Sequence, residues 1–304
     1  MEKLMEEKKT TLWQEIKICR VDETNYPSDL KKIKDRPEVL YYRGNIDILN
    51  EHKSIAVVGS RKISAVGAKL AYNAGSIIGK NGFNLVNGLA LGCDAEALKG
   101  ALAAGGKCAV VLPCGINEIY PKSNQWIAEE VLKQGGCLIS EYPEGTRPEK
   151  YRFVQRDRLQ SGMSQGVLVV EAMEKSGTMH TAEYAKKQNR RLACYYHGLL
   201  KYSTGNNVLE NLYQAVVIKT NEDLENYLCE IADIEEYTQL SFDFCITISP
   251  RETEKQHCFS WEFLCSVLVQ ILLKNILHHF YFFILFFVRN KWQKCRSSHT
   301  LFIF

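Results

Sequence analysis

The chain has 304 residues, a mass of 34.7 kDa and 46% hydrophobic content, enough for one large α/β domain or two smaller ones with a sizeable core. A formal net charge of +3 is too mild to announce a nucleic-acid binder by bulk charge, so any such function must reside in a local patch. Eleven cysteines without a C-x-x-C pair or a Cys/His cluster support neither a zinc site nor a disulfide framework, and the charged N-terminus has no apolar signal core. Reduced thiols in a cytoplasmic protein, with no metal and no cofactor, are the expectation.

In chain order, a polar lead-in over residues 1–50 carries one short strand at Val39–Tyr42. From Ser54 onward apolar runs alternate with amphipathic ones. "IAVVG" precedes a helix over about Ala65–Gly79, "FNLVNG" one over about Ala95–Ala104, and "KCAVVLPCG" one around Asn124–Gln134; "GCLISEYP", "GVLVVEA", a helix around Thr181–Gln188 and "RLACYYH" follow. Continuous apolar strands separated by helices mark a parallel sheet covered on both faces, which predicts an α/β, extended Rossmann-like, doubly wound domain over residues 51–219. Residues 220–304 read as an acidic, weakly helical end piece and an atypical tail, strongly apolar from Phe259 to Val288 but interrupted by Lys274, His278 and His279. That tail is read as a poor membrane anchor, a packing segment for a partner, or a non-native extension, the last being preferred because no clean period runs through it.

In open parallel sheets ligands bind outside the carboxyl ends of the strands, so the loops there hold the candidate chemistry. Gly59-Ser60-Arg61-Lys62 offers close backbone approach, amide and hydroxyl donors and a guanidinium, which suits phosphate; a solvated turn is the other reading. Asp94, in "NGLALGCDAEALKGAL", is expected to cap the helix that follows it. Arg147, Lys150, Arg152, Arg156 and Arg158 concentrate charge with Tyr151 and Phe153 among them, the working parts of single-strand recognition or else a solvated face. Ser176-Gly177-Thr178 opens a helix and makes a second anion site, in part by ordinary capping.

Three motif matches are rejected. "GMSQG" fits the nucleophile-elbow pattern at Ser164, but the strand follows the serine instead of preceding it. "GSIIGKN" has the wrong spacing for a Walker loop, and no G-x-G-x-x-G follows a strand. His180 and His197 are the histidines nearest the expected site, and neither has an evident acid partner in the sequence.

Taken together, "VVGSRK", "NGLALGCDAEALKGAL", "LPCGINEIYPKSNQ", "SEYPEGT", "FVQRDRLQSGMSQGVLVVEA" and "SGTMHTAEYAKKQNR" resemble, in order and spacing over about Tyr26–Lys219, the DNA-processing protein A or Smf family. The resemblance implies an extended Rossmann-type fold, single-stranded DNA binding without catalysis, homodimerisation, and delivery of DNA to a RecA-type recombinase in natural transformation. By position it implies that Arg61 grips the DNA backbone, Lys150 contacts phosphate, Phe153 stacks on a base, Arg156 and Arg158 match an Arg-Asn-Arg stretch, and Ser176–Thr178 match a Ser-Gly-Ser/Thr loop. Leu98 stands where the family has histidine and Asp157 where it has asparagine, and a carboxylate there is expected to weaken anion binding unless Arg156 or Arg158 neutralises it. The competing readings are a nucleotide-binding sensor or phosphoribohydrolase-like enzyme, whose glutamate Glu183 matches only loosely, and membrane contact through the tail.

Overall fold

Apolar runs of four or five residues cannot bury both faces alone, and in the computed structural model, which describes residues 15–233, they line up as the middle of one sheet. The lead-in supplies β1 (Lys17–Arg20), the helical turn α1 (Ser28–Lys31), β2 (Val39–Gly44) and the turn α2 (Ile48–Glu51). The alternating part follows as β3 (Ser54–Val58), α3 (Ala65–Lys80), β4 (Asn84–Asn87), α4 (Cys93–Ala103), β5 (Cys108–Val111), α5 (Gln125–Lys133), β6 (Cys137–Ser140) and α6 (Lys150–Gly162). It continues with β7 (Gly166–Val169), α7 (Gly177–Lys187), β8 (Arg191–Tyr195), α8 (Thr204–Leu212) and β9 (Val216–Ile218), after which residues 221–233 are helical.

The described strands form one sheet in the order β1-β2-β6-β5-β4-β3-β7-β8-β9. From β6 through β9 every pairing is parallel, while β2 joins β6, and β1 joins β2, antiparallel. The winding is therefore double: β4, β5 and β6 are added on one side of β3, and β7, β8 and β9 on the other. This is the mostly parallel α/β sheet that the sequence predicts.

Alternate residues of each strand face opposite layers. Ile55 and Val57 pack with Ala71, Ala74, Leu98 and Ile127 of α3 to α5, whereas Ala56 and Val58 pack with Leu159 of α6, Ala182 of α7 and Leu209 of α8. Helices α3 and α4 meet at backbone distance: a Cβ on Gly75 would stand 1.9 Å from the Ala97 carbonyl oxygen, and one on Gly100 the same distance from that of Tyr72. Leu98 lies buried in this layer.

The lead-in is tied down by a buried acid. Asp29 pairs with Arg190 (Nη1 to Oδ1, 3.2 Å), accepts from Gln165, and offers its carbonyl to Arg190 Nη2 at 2.9 Å, while the same Nη2 donates to the Gly162 carbonyl at 2.8 Å. At the other end, Leu224, Tyr227, Leu228 and Ile231 bury one side of the 221–233 helix, and Tyr227 donates to the Arg191 carbonyl at 2.9 Å. Among the described residues no helix is long and apolar enough to cross a membrane; the apolar stretch from Phe259 to Val288 lies outside them.

Strand β1, the turns α1 and α2, and α6, α8 and β9 are elements that the sequence reading does not place. Strand β1 carries an Ile18 side chain turned outward and so lacks an apolar run, and α6 reads in the sequence only as a basic stretch. The buried face of α6 is polar over much of its length (Arg156, Asp157, Gln160 and Ser161), which erases the apolar period by which helices are recognised. Where α3 and α4 touch, Gly75→Ala should lower the urea unfolding midpoint by the equivalent of about 1–3 kcal/mol, the usual result of overpacking; an unchanged midpoint would show that the two helices part without penalty.

Candidate nucleic-acid interface

The strand order reverses between β3 and β7, and the loops leaving their carboxyl ends diverge. A cleft of about 760 Å³ opens there, lined by the Gly59–Lys62 loop, Phe153, Arg156, Asp157 and Gln160 of α6, and Ser176–Thr178 at the start of α7. Ala90, Asp94, Thr181 and Tyr202 also line it. The structure thus gathers nine of the expected site residues: Gly59, Ser60, Arg61, Lys62, Phe153, Arg156, Ser176, Gly177 and Thr178.

The first loop is fixed by its backbone. Ser60 donates its amide to the Glu171 carbonyl at 2.7 Å and accepts the Cys93 amide at 3.1 Å, and its hydroxyl closes a small turn with Lys62 (3.1 Å from the amide, 3.0 Å to the carbonyl). Arg61 and Lys62 are thereby left exposed at the rim. The Arg61 guanidinium lies over the Phe153 ring, 4.9 Å from its centroid, and Tyr120 meets the same ring edge-on at 5.5 Å. Across the cleft, the Ser176 hydroxyl donates to the Met173 carbonyl at 2.6 Å and caps no amide, so the first turn of α7 keeps its positive end facing the opening.

The loops and strand ends around the cleft are held by buried polar groups, two of which the sequence does not single out. Glu171, at the end of β7, is buried and accepts the Ser64 amide (2.7 Å) on one oxygen and the Tyr202 amide (3.1 Å) on the other. Asn206 bridges the ends of β7 and β8, accepting from Ala172 and donating to the Val170 and Tyr195 carbonyls at 2.8–3.0 Å. A charged residue set directly after the apolar run "GVLVV" was the available signal for Glu171.

Asp94 corrects the capping expectation. Gly92 occupies the cap position, and the Asp94 carboxylate, inside the first turn, reaches back to the Gly88 amide at 3.0 Å and the Ala90 amide at 3.3 Å. Burial pushes its pKa up, opposed by Arg156 and by those two amides. Arg156 is itself buried, flat against Gly88, where an added Cβ would fall 1.0 Å from Nη1. Its Nη1 reaches the Val111 carbonyl at 3.4 Å and its Nε stands 3.6 Å from Asp157 Oδ1 without a hydrogen bond; Gln160 Oε1 is likewise unbonded among the described residues.

Arg158 and Lys150 stand apart from the cleft. Two residues along a helix rotate a side chain by about 200°, so Arg156 and Arg158 leave α6 on opposite sides. Arg158 is gripped by both oxygens of Glu141 at 3.0 and 2.7 Å and lies 3.2 Å from Asp35, while Lys150 is exposed at the first position of α6. Arg152 is held by Glu149 at 3.3 Å between the rings of Tyr142 and Tyr151. His197 does find an acid, Glu210 at 3.0 Å, outside the cleft. Cys114 is buried, its thiol pushed up to about 12 by burial, and Ser164 donates to the Gln160 carbonyl, which leaves neither placed as a nucleophile. Among the described residues no group of three or more His, Cys, Asp or Glu is arranged to hold a metal ion.

Asp157, where the resemblance expects asparagine, accepts from Gln160 Nε2 at 3.0 Å and has its pKa pushed up by burial from 3.8 to about 6, with Arg156 pulling the other way and Asp94 adding to the rise. The folded state therefore holds this proton more tightly than the unfolded chain. Its contribution to stability is complete below pH 4 and is lost as the pH rises through about 6. Asp157→Asn should remove that fall and leave the protein more stable at pH 7.5 by roughly 2 kcal/mol in denaturant unfolding; superimposable stability profiles from pH 4 to 8 for the two proteins would contradict this.

The sequence profile of the DNA recombination-mediator protein A family matches residues 17–228. Protein Smf of Synechocystis is 38% identical over 172 residues, 56% of this chain and 43% of its own length. DNA processing protein DprA of Bacillus subtilis is 35% identical over 179 residues, 59% of this chain and 60% of its own length. The chain thus spans about half the length of these relatives. The solved structure of DNA processing protein A from Helicobacter pylori, described for its single-stranded DNA binding mode, superposes with a TM-score of 0.64 at 29% identity over 71% of this chain and 96% of that one. A profile match running from β1 into the 221–233 helix covers every element that builds the cleft, and the chain belongs to the DNA recombination-mediator protein A family.

Proposed function

We propose that the switch-point cleft binds single-stranded DNA and that the protein handles such strands for recombination without catalysing a covalent change. The observation that carries this reading is the Arg61 guanidinium resting on the Phe153 ring at the mouth of the cleft. A cation for the phosphodiester and an aromatic face for a base stand within one contact of each other, the pairing that sequence-independent single-strand binding requires. Lys62 and the first turn of α7 add positive potential on the two walls, and Arg156 offsets the carboxylates below. The single-stranded DNA binding of the Helicobacter pylori relative supports the same reading.

In this account Gly59, Ser60, Arg61 and Lys62 hold one phosphate, Ser176, Gly177 and Thr178 another, and Phe153 a base. Lys150, exposed one turn before Phe153, follows the backbone outside the cleft, whereas Arg158 serves to hold α6 against Glu141 and Asp35. Delivery of the strand to a RecA-type recombinase, homodimerisation and a cytoplasmic setting complete the proposal on the strength of family membership.

Fluorescence anisotropy of the full chain with labelled oligo-dT, against duplex of equal length and across a salt series, tests the reading. Preference for the single strand is expected, and Arg61→Ala should weaken binding and reduce the magnitude of the slope of log K against log salt by about 1. Affinity unaffected by Arg61→Ala, or no binding at low salt, would sink the proposal. Because protonation of Asp157 removes a negative charge from the cleft, wild-type affinity should rise as the pH falls through about 6, and Asp157→Asn should bind more tightly at pH 7.5 and show no such rise.

A further inference from the structure

Trp126 sits at the second position of α5 with 54% of its surface exposed. The helix buries Ile127, Ala128, Val131 and Leu132, so the fold asks nothing of the indole. Singly exposed apolar residues are ordinary, but this one has company. The Lys99 ammonium, steadied by Glu96 at 2.8 Å, lies over the indole 5.8 Å from its centre.

The Trp126 site adjoins the cleft. Asn124, two residues before Trp126, donates its side-chain amide to the Leu89 carbonyl at 2.9 Å and the Ala90 carbonyl at 3.3 Å, and Ala90 lines the cleft. Leu91, next along this loop, is 49% exposed. Lys99 belongs to α4, whose Asp94 carboxylate holds the same loop through the Gly88 and Ala90 amides. At the near end, Tyr120 is 41% exposed and meets Phe153 edge-on. The segment from Tyr120 to Trp126 therefore begins at the cleft's aromatic and ends on a second aromatic with its own cation, at most about 20 Å away along the chain.

We propose that Trp126, with Lys99 over its ring, is a second stacking platform for bases of a single strand that leaves the cleft past Tyr120. The inference rests on the single-strand reading of the cleft and extends it by a few nucleotides. A flat ring with a cation held over it matches a base and its phosphate, and the ring's sequence-tolerant face suits a protein that must accept any strand. Where a second protein surface would instead cover Trp126, oligomeric state would respond to its removal.

The test is anisotropy of the full chain with oligo-dT from about four to about twenty nucleotides. Trp126→Ala should bind the shortest strands as wild type does and lose about fivefold or more in affinity for the longer ones, while Trp126→Phe should retain most of it. Equal affinity of the Ala variant at every length, or a loss that does not depend on length, would overturn the platform. So would a change in oligomeric state by light scattering without a change in long-strand affinity. If Arg61→Ala weakens binding and Trp126→Ala does not, the cleft reading stands and the platform alone falls; if wild type binds no strand, both fall.

Discussion

The architecture depends on the reversal of winding between β3 and β7, and on the one buried carboxylate that holds this reversal open. Parallel strands send their connections in a single direction until the order turns; only there do two neighbouring loops move apart instead of stacking. Glu171 stands at that point. Its backbone carbonyl fixes Ser60, and its two carboxylate oxygens fix the approach to α3 at Ser64 and the loop at Tyr202. Three chain segments that would otherwise choose their own paths are thus referred to one atom group. A buried acid that accepts backbone amides on both oxygens is well satisfied without any cation, which leaves the nearby cations free for a ligand.

Charge in the cleft is layered. Arg61 and Lys62 stand exposed at the rim, whereas Arg156, Asp94 and Asp157 lie below in the lining, almost fully buried. Buried charges are screened little and the exposed ones strongly, so the floor sets the sign of the local potential more than its count of charges suggests. Burial holds the proton on Asp157 up to about pH 6, against the pull of Arg156 and with a smaller push from the Asp94 carboxylate. A net charge of only +3 therefore says little about the cleft: the relevant charge is local, and part of it is set by a proton.

Much of this was legible in the sequence, for a definite reason. Strands such as "IAVVG" and "GVLVV" are buried on both faces, so their apolar runs are continuous, and their alternation with helices fixes the doubly wound sheet and the side on which its loops gather. The GSRK turn and the Ser-Gly-Thr helix start were readable because their chemistry is local to a few residues. What escaped the reading depends on contacts across the chain. Helix α6 buries Arg156, Asp157 and Gln160, and no period of apolar residues reports a helix whose hidden face is polar. Spacing alone also cannot tell that Arg158 is spent on Glu141, 17 residues earlier, or that Asp94 reaches back to Gly88 instead of capping its own helix.

The contact between Asp29 and Arg190 bridges 161 residues, and it bears on the order in which the chain can assemble. Strand β2 likewise waits for β6, about a hundred residues on. During synthesis at roughly 5–20 residues per second, Asp29 precedes its guanidinium by about 10–30 s, and burying an acid without that partner is unfavourable. The lead-in can therefore settle on the sheet only after β6 and Arg190 have been made. Until it does, β6 is an unprotected edge strand, and the lead-in acts in the finished molecule as the cover that keeps this edge from recruiting another chain.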